Sequence, residues 1–166
     1  MGKTLAACLA VLAATGCQGS ATDLGRRPDW TLTLPDGKKV SASDYDNKVL
    51  IVDFWATWCP PCRKEIPHFI QLKKDYGGKG LEILGFSFDR EEATHAQWVK
   101  EQGVNYLSIF AETEAAQKVV EQFQKVIGQI EGLPTTLVID RKGQIVYKHL
   151  GYGSYEDFEK VIKPLF

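Results

Sequence analysis

From Trp30 onward the chain alternates between apolar runs of strand length and longer stretches whose apolar residues recur every three or four positions. Trp30 to Leu34 interleaves strand formers with polar residues, Pro35-Asp36-Gly37 signals a turn, and Lys38 to Val40 returns. That pattern predicts an N-terminal hairpin. Ser41 to Asn47 is polar and predicts a short helical turn. Lys48 to Ala56 carries Val49, Leu50, Ile51 and Val52 without a polar break, which suits a strand covered on both faces. After Cys59, the residues Ile66, Phe69, Ile70 and Leu72 fall near helical spacing, with a kink expected at Pro67 and a stop at Gly77-Gly78. Leu81 to Phe88 reads as the next strand, Glu91 to Gln102 as a helix ended by Gly103, and Tyr106 to Phe110 as a short strand. Thr113 opens a further helix bearing Val119, Val120 and Phe123. Leu133 to Asp140 is a strand entered through a proline, Arg141-Lys142-Gly143 is a hairpin turn, and Gln144 to Leu150 returns. Ser154 caps a last helix carrying Phe158, Val161, Ile162 and Leu165. The order is βαβ-like first and antiparallel last, so an α/β fold is expected, with one central mixed sheet and helices on both faces.

Composition narrows the function classes. The 166 residues carry 20 Lys and Arg against 21 Asp and Glu, a net charge of −1, which excludes nucleic-acid binding by bulk charge. A hydrophobic share of 44% excludes a disordered chain, and the length suits one core rather than two full domains. Four cysteines are too few for a disulfide scaffold, so their positions matter more than their number.

Residues 1–16 read as a secretory signal: an early Lys3, an apolar run from Leu5 to Ala14, then small residues. The run is about half the roughly 20 residues that a membrane-spanning helix needs. Ala14-Thr15-Gly16-Cys17 resembles a bacterial lipobox, although Ala14 stands where Leu is more usual. The resemblance implies cleavage before Cys17 and a lipid on it, with plain secretion as the alternative. Residues 17–28, rich in Gly, Ser, Thr and Arg, would then form a polar tether. With Cys8 removed and Cys17 lipidated, only Cys59 and Cys62 remain for redox chemistry.

Those two sit in Trp58-Cys59-Pro60-Pro61-Cys62, between a buried strand and a helix. A cysteine at a helix N-terminus faces unpaired N–H groups and the positive end of the dipole, which favour its thiolate, the attacking species. Cys62, deeper in the helix, would resolve a mixed disulfide formed on Cys59. Three plainer readings stand beside this one. A structural disulfide is one, though so short a loop removes little entropy from the unfolded chain. Zinc is another, but it needs two more ligands, and the only histidines, His68, His95 and His149, lack paired spacing. Chance is the third. His68 is expected at the surface, His95 and His149 have no visible partner, none of the three is assigned a role, and Asp89-Arg90-Glu91-Glu92 reads as a solvated helix start. No phosphate loop or Ser/His/Asp arrangement is evident, so neither a metal nor another cofactor is expected.

Val52 to Cys62 resembles the active-site segment of the thioredoxin superfamily, and Gly132-Leu133-Pro134-Thr135-Thr136 is similar to that fold's cis-proline loop. The separation between the two motifs implies an inserted strand-helix unit. Together with the hairpin and export, it points to the TlpA/ResA group of membrane-tethered thiol-disulfide oxidoreductases. The resemblance covers roughly residues 28–166, with the domain itself expected over 29–166. It implies a cis Leu133-Pro134 bond whose backbone pairs with a bound peptide. It makes Asp53 the buried acid that takes the proton of Cys62, where strand alternation alone leaves an exposed edge position open. It makes Glu65 a second acid near the dithiol, where helix chemistry alone explains an early acid. Trp58, Pro60, Pro61 and Leu133 would border the substrate, and Trp55 would either wall the dithiol or belong to the core. Lys125 to Glu131 is longer than the usual approach to the cis-proline, which alters the groove beside Cys59. Pro60 and Pro61 carry no N–H, so neither can stabilise the Cys59 thiolate. A reductant is therefore expected rather than an oxidant. The implied substrates are extracytoplasmic protein thiols and disulfides, haem-binding cysteines of apocytochrome c among them. A membrane reductant would recharge a monomeric enzyme. A thiol peroxidase of related fold and a redox-silent binding module are the alternatives; the first would want Thr where Ala56 stands.

Overall fold

The computed structural model describes residues 24–166; the expected signal, Cys17 and most of the expected tether lie outside the described residues. Strands β1 (Thr31–Thr33) and β2 (Lys39–Ser41) form a separate antiparallel hairpin. Strands β3 (Val49–Trp55), β4 (Leu81–Ser87) and β5 (Leu107–Phe110) run parallel. β6 (Thr135–Ile139) pairs antiparallel with β3, and β7 (Ile145–Leu150) antiparallel with β6, giving one mixed sheet in the order β5-β4-β3-β6-β7.

All seven residues of β3 are buried, as its unbroken apolar run requires of a strand with sheet on both sides and side chains covered above and below. Leu50, Val52 and Phe54 face a core shared with the hairpin, Tyr45 and α3 (Glu114–Ile127). Val49 and Ile51 face the opposite core, closed by α1 (Pro60–Tyr76) and α4 (Tyr155–Ile162). A third cluster gathers Trp55, Ala56, Cys59, Cys62 and Ile66 under Trp98 and Val99 of α2 (Glu92–Glu101).

Helix α1 continues through the exposed Pro67 without interruption. It stops at Tyr76, with Gly77 as its C-cap, as the sequence suggests. A 3-10 turn over Gly77–Lys79 follows, and the chain reverses at Gly80, whose φ of 97° lies in the left-handed region that glycine tolerates. The long approach to the proline loop is partly helix: α3 runs to Ile127 and takes up Lys125 to Ile127 as its last residues. Leu24 to Arg27, at the end of the expected tether, lie against the start of β7. Leu24 N–H donates to Ile145 O at 3.2 Å, Ile145 N–H to Gly25 O at 2.9 Å, and Arg27 N–H to Gly143 O at 2.9 Å. No helix among the described residues is long and apolar enough to cross a membrane.

Phe54 is the centre of the first core: it stacks on Phe86 at 5.7 Å and meets Phe123 edge-on at 5.9 Å. Phe54→Ala should lower the unfolding free energy by about 3–5 kcal/mol, measured by denaturant titration, because the space left cannot collapse between a central strand and α3.

Candidate active site

The turn from β3 into α1 places the two cysteines. Cys59 is the N-cap of α1 in extended conformation, and its sulfur accepts the N–H of Cys62 at 3.3 Å. Pro60 and Pro61 fill the first helical positions, where a missing N–H costs nothing. A disulfide joins Cys59 to Cys62, with Cα atoms 5.3 Å apart. Cys62 is fully buried and Cys59 is 3% exposed, so Cys59 is the outer of the pair.

Trp58 is 60% exposed beside them, its indole N–H donating to Phe88 O at 3.2 Å. Trp55 packs in one cluster with Cys59 and Cys62. It is buried in the core, its indole N–H donating to Ser108 Oγ at 3.3 Å. A Cβ on Gly85 would come within 2.9 Å of that indole nitrogen, so the ring lies over a position that only glycine leaves open. The Leu133-Pro134 bond is cis. Thr135 Oγ1 donates to Gly132 O at 2.7 Å, and Gly151 N–H to Pro134 O at 2.8 Å, so the loop is held on both sides. Trp58, Phe88, Ile130 and Leu133 line a shallow recess of about 270 Å³ next to the disulfide. A larger cleft of about 570 Å³ between β1, α2 and β5 contains neither cysteine.

Asp53 and Glu65 are both fully buried and lie close together. The β3–β6 register sets Asp53 opposite Thr136. The Thr136 hydroxyl is 3.4 Å from Asp53 Oδ1 and 3.5 Å from Glu65 Oε2; with one proton it serves one carboxyl at a time. Gly153 N–H donates to Glu65 Oε1 at 2.8 Å, while Asp53 Oδ2 has no hydrogen-bond partner among the described residues. Desolvation pushes the pKa of both acids well above the carboxylate range, and for Glu65 the charge of Asp53 adds to it. The Thr136 and Gly153 bonds pull the other way without cancelling the burial. Neither acid is therefore the exposed residue that strand alternation or helix chemistry alone allowed. Glu65 sits one turn beyond Cys62 on α1, and the Thr136 hydroxyl links it to Asp53 on β3.

Several residues with no assigned role in the sequence join the site. Asp89 is buried, not part of a solvated helix start. Its Oδ1 accepts the Thr57 N–H at 3.0 Å and the Thr57 hydroxyl at 2.6 Å, and its Oδ2 accepts the Ser87 hydroxyl at 2.6 Å. It thereby ties the end of β4 to the loop leading into Cys59, a role that only the β3–β4 pairing creates. The histidines do have partners. His95 is buried, with Nε2 2.8 Å from Ser108 Oγ. His68 is half-buried rather than exposed, with Nε2 2.9 Å from the Tyr152 hydroxyl. His149 Nε2 is 3.2 Å from Tyr152 O. No group of three His, Cys, Asp or Glu among the described residues could hold a metal ion.

The raised acids make stability pH-dependent. In the unfolded chain Asp53 and Glu65 titrate in the ordinary carboxylate range, but the folded protein keeps them protonated to higher pH. Their contribution is complete in acid and is lost as pH rises toward the folded values. Denaturant midpoints should therefore fall between about pH 5 and pH 8, and Asp53→Asn should flatten that slope.

The comparisons with known proteins agree with this geometry. The AhpC/TSA family model matches residues 25–148. The thiol-disulfide oxidoreductase ResA of Bacillus thuringiensis (strain Al Hakam) is 29% identical over 140 residues, covering 83% of this chain and 75% of the relative. The thioredoxin-like protein YneN of Bacillus subtilis (strain 168) is 31% identical over 136 residues, covering 80% of this chain and 74% of its own. A crystal structure of a thioredoxin-family thiol:disulfide interchange protein from Chlorobium tepidum TLS superposes with a TM-score of 0.76 at 32% identity, over 84% of this chain and 94% of that one. A disulfide capping a helix beside a cis-proline loop, in a chain matched over most of its length, thus belongs to a thiol-disulfide oxidoreductase of thioredoxin-like fold in the AhpC/TSA family.

Proposed function

We propose that the chain is an extracytoplasmic reductant of protein disulfides. The observation that carries this is the environment of Cys59 Sγ: one N–H, that of Cys62, at 3.3 Å, and two prolines where further donors would stand. A thiolate with so few donors is stabilised less than one in a donor-rich turn, so the dithiol gives up its electrons more readily. The reduced Cys59 thiolate attacks a substrate disulfide sulfur, forms a mixed disulfide and releases one substrate thiolate. Cys62 then loses its proton to whichever carboxyl of the Asp53–Glu65 pair is ionised, and its thiolate attacks Cys59 Sγ. The Cys59–Cys62 disulfide closes, the second substrate thiolate leaves, and two electrons have passed to the substrate. The Leu133 backbone beside the cis bond, together with Trp58, Pro60 and Pro61, borders the incoming chain. Among the described residues, three large hydrophobic side chains stand out as exposed, Trp58, Leu150 and Tyr152, and each neighbours this loop or its recess, which favours an extended apolar segment around the substrate cysteine.

The location rests on the N-terminal segment: a signal over 1–16, a lipid on Cys17, and a tether up to the folded unit. Substrates would be protein thiols outside the cytoplasm, with the haem-binding cysteines of apocytochrome c as one candidate, and a membrane dithiol donor would restore the reduced form of a monomeric enzyme. In an oxidising compartment a reductant needs that supply. A peroxidase reading is weaker, since the residue three before Cys59 is the buried Ala56 and offers no hydroxyl.

Cys62→Ser should trap client proteins on Cys59 as mixed disulfides, identified after non-reducing electrophoresis, while Cys59→Ser traps none. A Cys59 thiolate titrating near about 4 would mark an oxidant and overturn the direction of electron flow.

A further inference from the structure

The loop Gly151-Tyr152-Gly153, between β7 and α4, touches both halves of the site. At one end Gly151 N–H donates to Pro134 O at 2.8 Å; at the other Gly153 N–H donates to Glu65 Oε1 at 2.8 Å. The loop therefore spans from the cis-proline to the buried acid in three residues. Gly151 has a φ of 91°, in the left-handed region. Gly153 is pressed against Phe158: a Cβ there would lie 2.6 Å from that ring and 3.4 Å from Glu65 Oε1. The amide that meets Glu65 can reach it only because residue 153 has no side chain.

Two histidines hold the middle of the loop. His149 Nε2 lies 3.2 Å from Tyr152 O; a carbonyl only accepts, so Nε2 carries the proton. Nδ1 lies 3.3 Å from the Tyr147 hydroxyl. The imidazole stacks on Tyr147 at 6.0 Å and meets Phe158 edge-on at 6.0 Å, so its orientation is set from two sides. His68, one turn beyond Glu65 on α1, has Nε2 2.9 Å from the Tyr152 hydroxyl. The loop is thus clamped to the same helix that carries Glu65 and to the strand paired with the cis-proline strand.

We propose that His149 and His68, acting through Tyr152, are positioning residues that hold the Gly153 amide on Glu65 and so set how readily the buried acid exchanges its proton. The inference deepens the function proposed above, since the acid matters only to a dithiol that turns over. Without the clamp the loop can lift, Glu65 loses a donor that favours its charged form, and its protonation persists to higher pH. The other groups facing Glu65 are Asp53 from β3, the Thr136 hydroxyl from β6 and the Tyr106 hydroxyl before β5. Asp157 at the start of α4 lies near His149. None of these needs the clamp to stay in place.

The test is carbon-detected NMR titration of the Glu65 carboxyl in the oxidised full chain, which reads the acid whether or not the protein exchanges disulfides. His149→Leu and Tyr152→Phe should each move the Glu65 titration upward by about one pH unit, the size expected for one lost hydrogen bond to a charged group. His149→Gln, whose amide can donate to the same carbonyl, should restore the parent curve. Thermal unfolding of each variant, followed alongside, separates the effect from loss of fold; if His149→Leu unfolds, Tyr152→Phe, which keeps the ring, decides alone. A Glu65 titration unchanged in the folded variants would overturn the proposal. So would an equal shift in His149→Gln, because a merely packed imidazole would not be rescued by an amide. Failure of the parent chain to reduce a disulfide substrate would instead count against the function and leave this result readable.

Discussion

Antiparallel pairing of β3 with β6 sets Asp53 against Thr136 and Phe54 against Thr135, and both parts of the site hang on that register. A slip of one residue would turn Asp53 toward the opposite core and carry the cis-proline loop out of line with Cys59. The register is held because β3 is buried on both faces: every residue that moved would exchange one packed environment for another of different shape. The central strand acts as the ruler from which the cysteines leave at one end and against which the proline loop is measured on the neighbouring strand.

Placing two carboxyls beneath a disulfide looks costly for such a core. Glu65 and Asp53 are both fully buried, and no cation among the described residues offsets either charge. The cost is avoided by keeping them protonated, which burial itself brings about, and by sharing one threonine hydroxyl between them. In the exchange proposed above, a carboxyl of the pair that has lost its proton is the acceptor for the Cys62 thiol. The same desolvation lowers the stability of the fold at high pH, where the pair must ionise.

The fold joins the cis-proline loop to the buried acids. The cis-proline loop is tied through Gly151 to the loop whose next glycine, Gly153, binds Glu65. Asp89 performs a similar tie on the other side, fastening the Thr57 turn to β4. Cys59 therefore enters α1 from a loop anchored by a buried carboxylate, not from a free connection.

Much of this was legible in the chain. The unbroken run of Val49 to Val52, the turn residues between the hairpin strands and the period of α3 and α4 each reflect local physics: which side chains can be covered, and where the backbone can turn. The sulfur pair was legible for the same reason, because a strand, a helix start and two prolines are neighbours in sequence. What tertiary structure alone decided concerns partners far apart along the chain. Nothing near Asp89 announces Thr57, nothing near His68 announces Tyr152, and an acid in the first turns of α1 reads as a surface residue until α4 and the Gly153 loop close over it. Burial and hydrogen bonding between distant segments depend on which faces meet, and a sequence read locally carries the period of a face but not the identity of what covers it.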